Sequence, residues 1–167
     1  WDGNETWLIL GGAGLLGAFP LAYSLLLSAL YMPLVVMLLA LIFRGVAFEF
    51  RQKSARSRHR WGLAFAVGSL IAAFAQGAAL GAFVQGIPVV GRALAGERLD
   101  WLTPFSVFTG LALVAGYALL GAGWLVMKTT GRIQQRAYRS MPASAVLVLF
   151  AMAVVALTTP ALDPRIA

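Results

Sequence analysis

The chain has no cysteine and a single histidine among its 167 residues. Disulfides, thiolate metal centres and cysteine nucleophiles are thereby excluded, and a multi-histidine metal or haem site within this chain is disfavoured. Charge is scarce as well: Asp, Glu, Lys and Arg supply 11% of the residues, against about 25% in ordinary globular chains. What charge there is leans to one sign, with 13 basic against 6 acidic side chains and a net charge of +7. No phosphate-binding loop, catalytic triad or metal-ligand cluster is written in the sequence. Apolar residues make up 60% of the chain and the mean hydropathy is +0.84. So much apolar surface must face something other than water, and it falls in a few long uncharged runs. That is the distribution of a polytopic membrane protein, and it makes nucleic-acid binding a poor account of the basic charge.

No charged residue occurs from Leu8 to Phe43. As one helix this run would be about 54 Å long against a hydrocarbon core of about 30 Å, so it is expected to be two spans turning near Ser28. Further uncharged runs extend from Trp61 to Gly91, Trp101 to Met127 and Ser140 to Leu162. The expected fold is all-α, a transmembrane bundle of about five helices over residues 8–26, 29–47, 62–86, 103–127 and 141–160, in a single domain. None of the runs alternates with period two, which disfavours a transmembrane barrel. The chain opens at Trp1-Asp2-Gly3 without an initiator methionine, and is expected to be a piece of a longer protein.

Arg44, Arg51, Lys53, Arg56, Arg58 and Arg60 follow the second run, and Lys128, Arg132, Arg136 and Arg139 follow the fourth. These segments hold ten of the thirteen basic residues. Lys/Arg excess marks the cytoplasmic side, so segments 44–60 and 128–139 and the Trp1 end are expected there. Five spans then leave the opposite terminus outside, with Glu97, Asp100 and Asp163. The basic segments are read as solvated loops touching anionic lipid, with His59 a loop residue. Gly14 and Ala18, and Ala73, Gly77 and Gly81, repeat small residues at the four-residue spacing that lets membrane helices approach closely.

Asp2, Asn4 and Glu5 stand at the mouth of the first run. Asp2 and Glu5 have the spacing of a capping box, while carboxylates entering a membrane bundle also serve proton relays; the two roles do not exclude each other. Arg44 interrupts the second run one turn before Glu49. It is read as a snorkelling side chain, or else as a cation with a buried partner such as a carboxylate or a cofactor propionate on another chain. Glu49 and Lys53 are four apart and suited to pairing on one helix. Gln76, deep in the third run, is expected to bond a neighbouring helix, and Gln85 is a candidate quinone or lipid contact. Trp1, Trp7, Trp61, Trp101 and Trp124 all fall near span ends, as aromatic belts do.

Trp1-Asp2-Gly3-Asn4-Glu5-Thr6-Trp7-Leu8, Gly11-Gly12-Ala13, Gly17-Ala18-Phe19-Pro20, Phe43-Arg44-Gly45-Val46-Ala47-Phe48-Glu49-Phe50-Arg51 and Gln85-Gly86-Ile87-Pro88 together resemble subunit II of the cytochrome bd-type quinol oxidases, including their cyanide-insensitive branch. Leu102-Thr103-Pro104-Phe105 continues the likeness, which thins beyond Arg139. The family's N-terminal helix and its C-terminal half have no counterpart here. The resemblance implies a non-haem-ligating subunit of a bacterial cytoplasmic-membrane complex that oxidises quinol and reduces dioxygen. Haem b and haem d are then expected in the partner subunit I, with a structural quinone and membrane lipids as further partners. It also implies that Asp2, with Glu5, lies on an interfacial proton route, and that Trp1, Arg44 and Glu49 sit towards the subunit interface. A transporter or channel segment, with Asp2, Arg44 and Gln76 along a substrate path, is the alternative from another functional class.

Overall fold

In the computed structural model of the chain, the structure describes residues 2–53, 56–97 and 99–162. Among them are six helices: α1 (Asp2–Ala18), α2 (Pro20–Ala29), α3 (Tyr31–Lys53), α4 (Arg58–Val84), α5 (Pro104–Lys128) and α6 (Arg132–Leu162). Between α4 and α5 a two-stranded antiparallel ribbon joins β1 (Val89–Val90) to β2 (Ala93–Leu94). The fold is the expected all-α bundle. Four of its helices, α3 to α6, are long and apolar enough to cross a membrane.

The first expected span, 8–26, is instead two shorter apolar helices, and this is why four helices qualify rather than five. Proline at the first position of α2 has no N–H to donate and pushes its predecessor out of the helical region, leaving Phe19 at φ −137°, ψ 66°. Bonds from Phe19 N to Leu15 O (2.8 Å) and from Tyr23 N to Phe19 O (2.9 Å) carry the chain across the kink. The expected turn near Ser28 is a one-residue break at Leu30, which still donates its N–H to Leu26 O at 2.9 Å.

The helices also run past the ends that the charges suggested. The second span extends from 29–47 to Tyr31–Lys53 and the last begins at Arg132 rather than 141. The expected loop 128–139 is a short turn, with Gly131 at φ +73° supplying the left-handed residue that closes it. Arg132, Arg136 and Arg139 therefore stand on α6, and Arg58, His59 and Arg60 stand on the first turn of α4 rather than in a loop. Long basic side chains keep their heads in water from a helical backbone, so charge in the sequence does not end a helix.

Each of α3 to α6 packs on its neighbour in sequence. Along α3 the buried Pro33, Met37, Ala40 and Ala47 form the seam against α4. A Cβ added to Gly68 would sit 3.1 Å from Ala40 O and 3.4 Å from Arg44 Cβ, which places Arg44 on that seam. The closest approach is between α4 and α5. A Cβ on Gly77 would lie 2.7 Å from Thr109 O and 2.8 Å from Gly110 Cα, and one on Gly110 would lie 2.7 Å from the Phe74 ring. Thr109 Oγ1 lies 3.0 Å from Gly77 O and 2.9 Å from Ser106 O, so its hydroxyl serves both helices. The small-residue stripe of α4 thus meets a second one on α5, Ser106 and Gly110, that sequence reading had not singled out. By contrast Gly14, on the other expected stripe, has nothing within 4 Å of where its Cβ would be.

Thr103 caps α5. Its hydroxyl accepts from Ser106 N at 3.0 Å, and Ser106 Oγ accepts from Thr103 N at 2.9 Å, a reciprocal capping box that satisfies the fully buried Ser106. The same Thr103 hydroxyl donates to Gln85 Oε1 at the C-terminus of α4. One side chain therefore closes the cap and ties the two helices across the ribbon. Thr103→Val, nearly isosteric, is expected to cost about 1–2 kcal/mol, read as a lower thermal midpoint of the solubilised protein. An unchanged midpoint would remove the cap from the account of stability.

Candidate functional site

Between α3, α4 and α5 lies an open groove of about 780 Å³. Its walls are mostly apolar, among them Leu8, Met37, Leu41 and Val114, and its polar groups are Arg44, Ser69, Gln76 and Tyr117. A mostly apolar cleft with a few converging polar groups is the usual form of a small-molecule site.

Arg44 sets the electrostatics. It is half-buried, and its guanidinium carbon sits 5.1 Å from the centroid of the Phe65 ring, a cation–π contact worth about 0.5–1 kcal/mol. The side chain leaves the backbone on the α3–α4 seam. Among the described residues no carboxylate pairs with it; the one ion pair joins Glu49 to Lys53 at 2.5 Å, both on the last turns of α3. Glu49 makes the local pair that its spacing suggested, and 57% of its side chain remains exposed.

Across the groove Tyr117 Oη donates to Gln76 Oε1 at 2.9 Å, so Gln76 bonds a neighbouring helix as expected. Ser69 returns its hydroxyl to Phe65 O in its own helix, at 2.8 Å. Gln85 is not part of this groove. It stands half-buried at the far end of α4, where its side-chain oxygen accepts from Thr103.

Trp1 lies outside the described residues, and so do the side chains of Asp2 and Glu5, whose backbone belongs to α1. Leu8, six residues beyond Asp2 on α1, lines the groove that holds Arg44. A six-residue helical step is about 9 Å of rise. The side chain that sequence reading passed over is Trp101: its indole nitrogen is buried with no partner among the described residues. Position near a span end had marked it only as a belt aromatic. Among the described residues no three His, Cys, Asp or Glu side chains come together as a metal site, and the one histidine, His59, is exposed on the first turn of α4.

Comparison with known proteins gives this geometry a family. The model for cytochrome bd terminal oxidase subunit II matches residues 1–167. Subunit 2 of the cytochrome bd-I ubiquinol oxidase of Escherichia coli K12 is 34% identical over 162 residues, covering 92% of this chain and 43% of the relative. A probable cytochrome oxidase subunit 2 of Haemophilus influenzae is 33% identical, covering 90% of this chain and 42% of its own length. Subunit 2 of the cytochrome bd ubiquinol oxidase of Bacillus subtilis is 34% identical over 140 residues, with coverage of 82% and 41%. The chain thus spans less than half the length of the curated relatives it matches. These matches give the transporter or channel reading no support. With its four membrane-length helices and a family match along its whole length, the chain is a multi-pass membrane protein and belongs to the cytochrome bd terminal oxidase subunit II family.

Proposed function

We propose that this chain acts as the non-haem-ligating subunit of a membrane quinol:dioxygen oxidoreductase, scaffolding a haem-bearing subunit I and supplying part of an interfacial proton route. The observation that carries the reading is the family match over all 167 residues. The chain has no cysteine and its one histidine, His59, stands at the basic end of α4, which supports placing the cysteine- or histidine-ligated haem iron in the partner. Haem b and haem d then belong to the partner, where they carry out the oxygen chemistry.

In this reading Asp2 and Glu5 stand at the start of the route, Arg44 holds a positive charge beside it, and Trp1 and Glu49 face the partner. The basic segments around α3, α4 and α6 lie on the cytoplasmic side of a bacterial inner membrane, where protons are taken up. The Arg44 groove has the size and the apolar walls for a structural quinone, with Arg44 and the Gln76 amide as donors to a ring oxygen. Gln85, bonded to Thr103, serves instead to join α4 to α5.

The test is to express the full-length parent gene with its neighbours, purify the complex through a tag on this chain, and record haem absorption and quinol-dependent oxygen uptake. Co-purifying b- and d-type bands with oxygen uptake support the reading; a stable colourless preparation overturns it. Within the active complex, Asp2→Asn is expected to lower turnover about tenfold or more with the haem spectrum unchanged. Full turnover in the assembled variant would remove Asp2 from the proton route and leave it only a helix cap.

A further inference from the structure

A second cleft lies at the basic end of α3 and α4, apart from the Arg44 groove. Arg51, Arg56, Arg58 and His59 line it together with Gly62 and Leu63, around an open volume of about 660 Å³. Gly62 makes the room: a Cβ there would meet Arg51 Nε at 3.7 Å, so a larger side chain would fill the space. No carboxylate is among the lining residues. Glu49, one turn back on α3, is held by Lys53 at 2.5 Å. The positive end of the α4 dipole adds to the same potential, although basic residues are ordinarily disfavoured there. Three guanidinium groups line the cleft without a carboxylate among them, so an anion placed there meets positive charge alone and gains charge-assisted hydrogen bonds.

What lies beside the cleft identifies the kind of anion. Leu63, Val67 and Leu70 recur on one face of α4 at helical spacing, and they are 61%, 41% and 54% exposed. This apolar stripe starts at the cleft and runs towards the middle of the membrane-length helix, where Leu70 borders the Arg44 groove. Phe50 and Trp61 stack at 5.1 Å between centroids at the same level, as aromatic side chains do at a membrane interface. We propose that this cleft binds the phosphate headgroup of an anionic phospholipid, with an acyl chain laid along Leu63, Val67 and Leu70. A soluble phosphate compound would use the arginines but not the stripe. Basic pockets at helix ends are suited to such headgroups because each nearby Lys or Arg adds to the attraction.

The test uses the purified full-length complex, stripped of lipid by detergent exchange. Binding of dioleoylphosphatidylglycerol and of dioleoylphosphatidylcholine is followed by native mass spectrometry, with inorganic phosphate as competitor. The expected result is one tightly held phosphatidylglycerol per complex that phosphatidylcholine does not replace. Arg56→Gln with Arg58→Gln should weaken that lipid about tenfold. Gly62→Leu should do the same with every charge in place, while Gly62→Ala and the pair Arg132→Gln with Arg136→Gln should leave it bound. Equal binding of the two lipids, or wild-type phosphatidylglycerol binding in both the charge variant and Gly62→Leu, would overturn the proposal. So would displacement by inorganic phosphate where chloride of equal ionic strength has no effect, since the cleft would then take a soluble phosphate.

Discussion

Gly81→Ala is expected to destabilise the bundle by about 3 kcal/mol, while Gly121→Ala leaves it unchanged or slightly more stable. The added methyl at position 81 would overlap Thr109 Oγ1 and stand 2.8 Å from Ser106 Cα. One of these obstacles is backbone, and the other is a hydroxyl already engaged with Gly77 and Ser106. Neither is the free end of a flexible chain, so the helices must move apart. That separation loses close dispersion contact along Gly77, Gly81, Ser106 and Gly110, and van der Waals packing is the main force between helices in lipid. Gly121 sits in a helix of the same kind with nothing within 4 Å of its missing Cβ, and alanine is the better helix former. The comparison is made by thermal melting of the detergent-solubilised complex and by the yield of assembled protein. Equal melting of the two variants would mean that α4 and α5 do not meet through these glycines.

Arg44→Leu is expected to lower quinol oxidase turnover by one to two orders of magnitude, about 1.4 kcal/mol of barrier per factor of ten, with stability changed by about 1 kcal/mol or less. The two effects separate because of where Arg44 sits. Its Cβ is on the α3–α4 seam and its guanidinium is over Phe65, so leucine replaces the packing and forfeits mainly the cation–π contact. The charge is what the proposed route uses, and Arg44→Lys, which keeps the charge without the planar donor fork, should fall between the two. Bound quinone, extracted and counted per haem, should drop in Arg44→Leu as well. A cycle with Asp2→Asn tests whether the two groups act together: the double variant should be little worse than the poorer single one. Additive losses would separate Arg44 from Asp2, and wild-type turnover in Arg44→Leu would return Arg44 to an interfacial anchor.

Much of the architecture was legible from hydropathy alone. Residues 62–86 and 103–127 differ by only a few positions from α4 (Arg58–Val84) and α5 (Pro104–Lys128), because an uncharged run of that length has few other solutions. The starts of α4 and α6 were placed too late for one physical reason: Arg58, Arg60, Arg132 and Arg136 are polar at their tips but have helical backbones. The first span failed differently. Pro20 lies inside an uncharged run that reads as one span, and its effect on Phe19 divides that helix in two. At the site, Gln76 was legible as a bond to a neighbouring helix. For Gln85 the sequence left the partner open, and the bond to Thr103 follows from where the ribbon returns the chain to the end of α4.

The sequence by itself determined the membrane class, the helical period, the asymmetry of basic charge and the family resemblance. Each of these is a property of composition and order along one chain, set by the cost of placing charge or unpaired backbone in hydrocarbon. Which small residues are contacts and which are merely small was decided only by tertiary structure. Gly77, Gly81 and Gly110 touch a facing helix while Gly14, Gly116 and Gly121 touch nothing, although all share the same composition and similar spacing. The same holds for Arg44 over Phe65 and for the arginines gathered around Gly62. Contact requires the register and rotation of two helices at once, and a one-dimensional pattern carries the phase of each helix but not the phase between them.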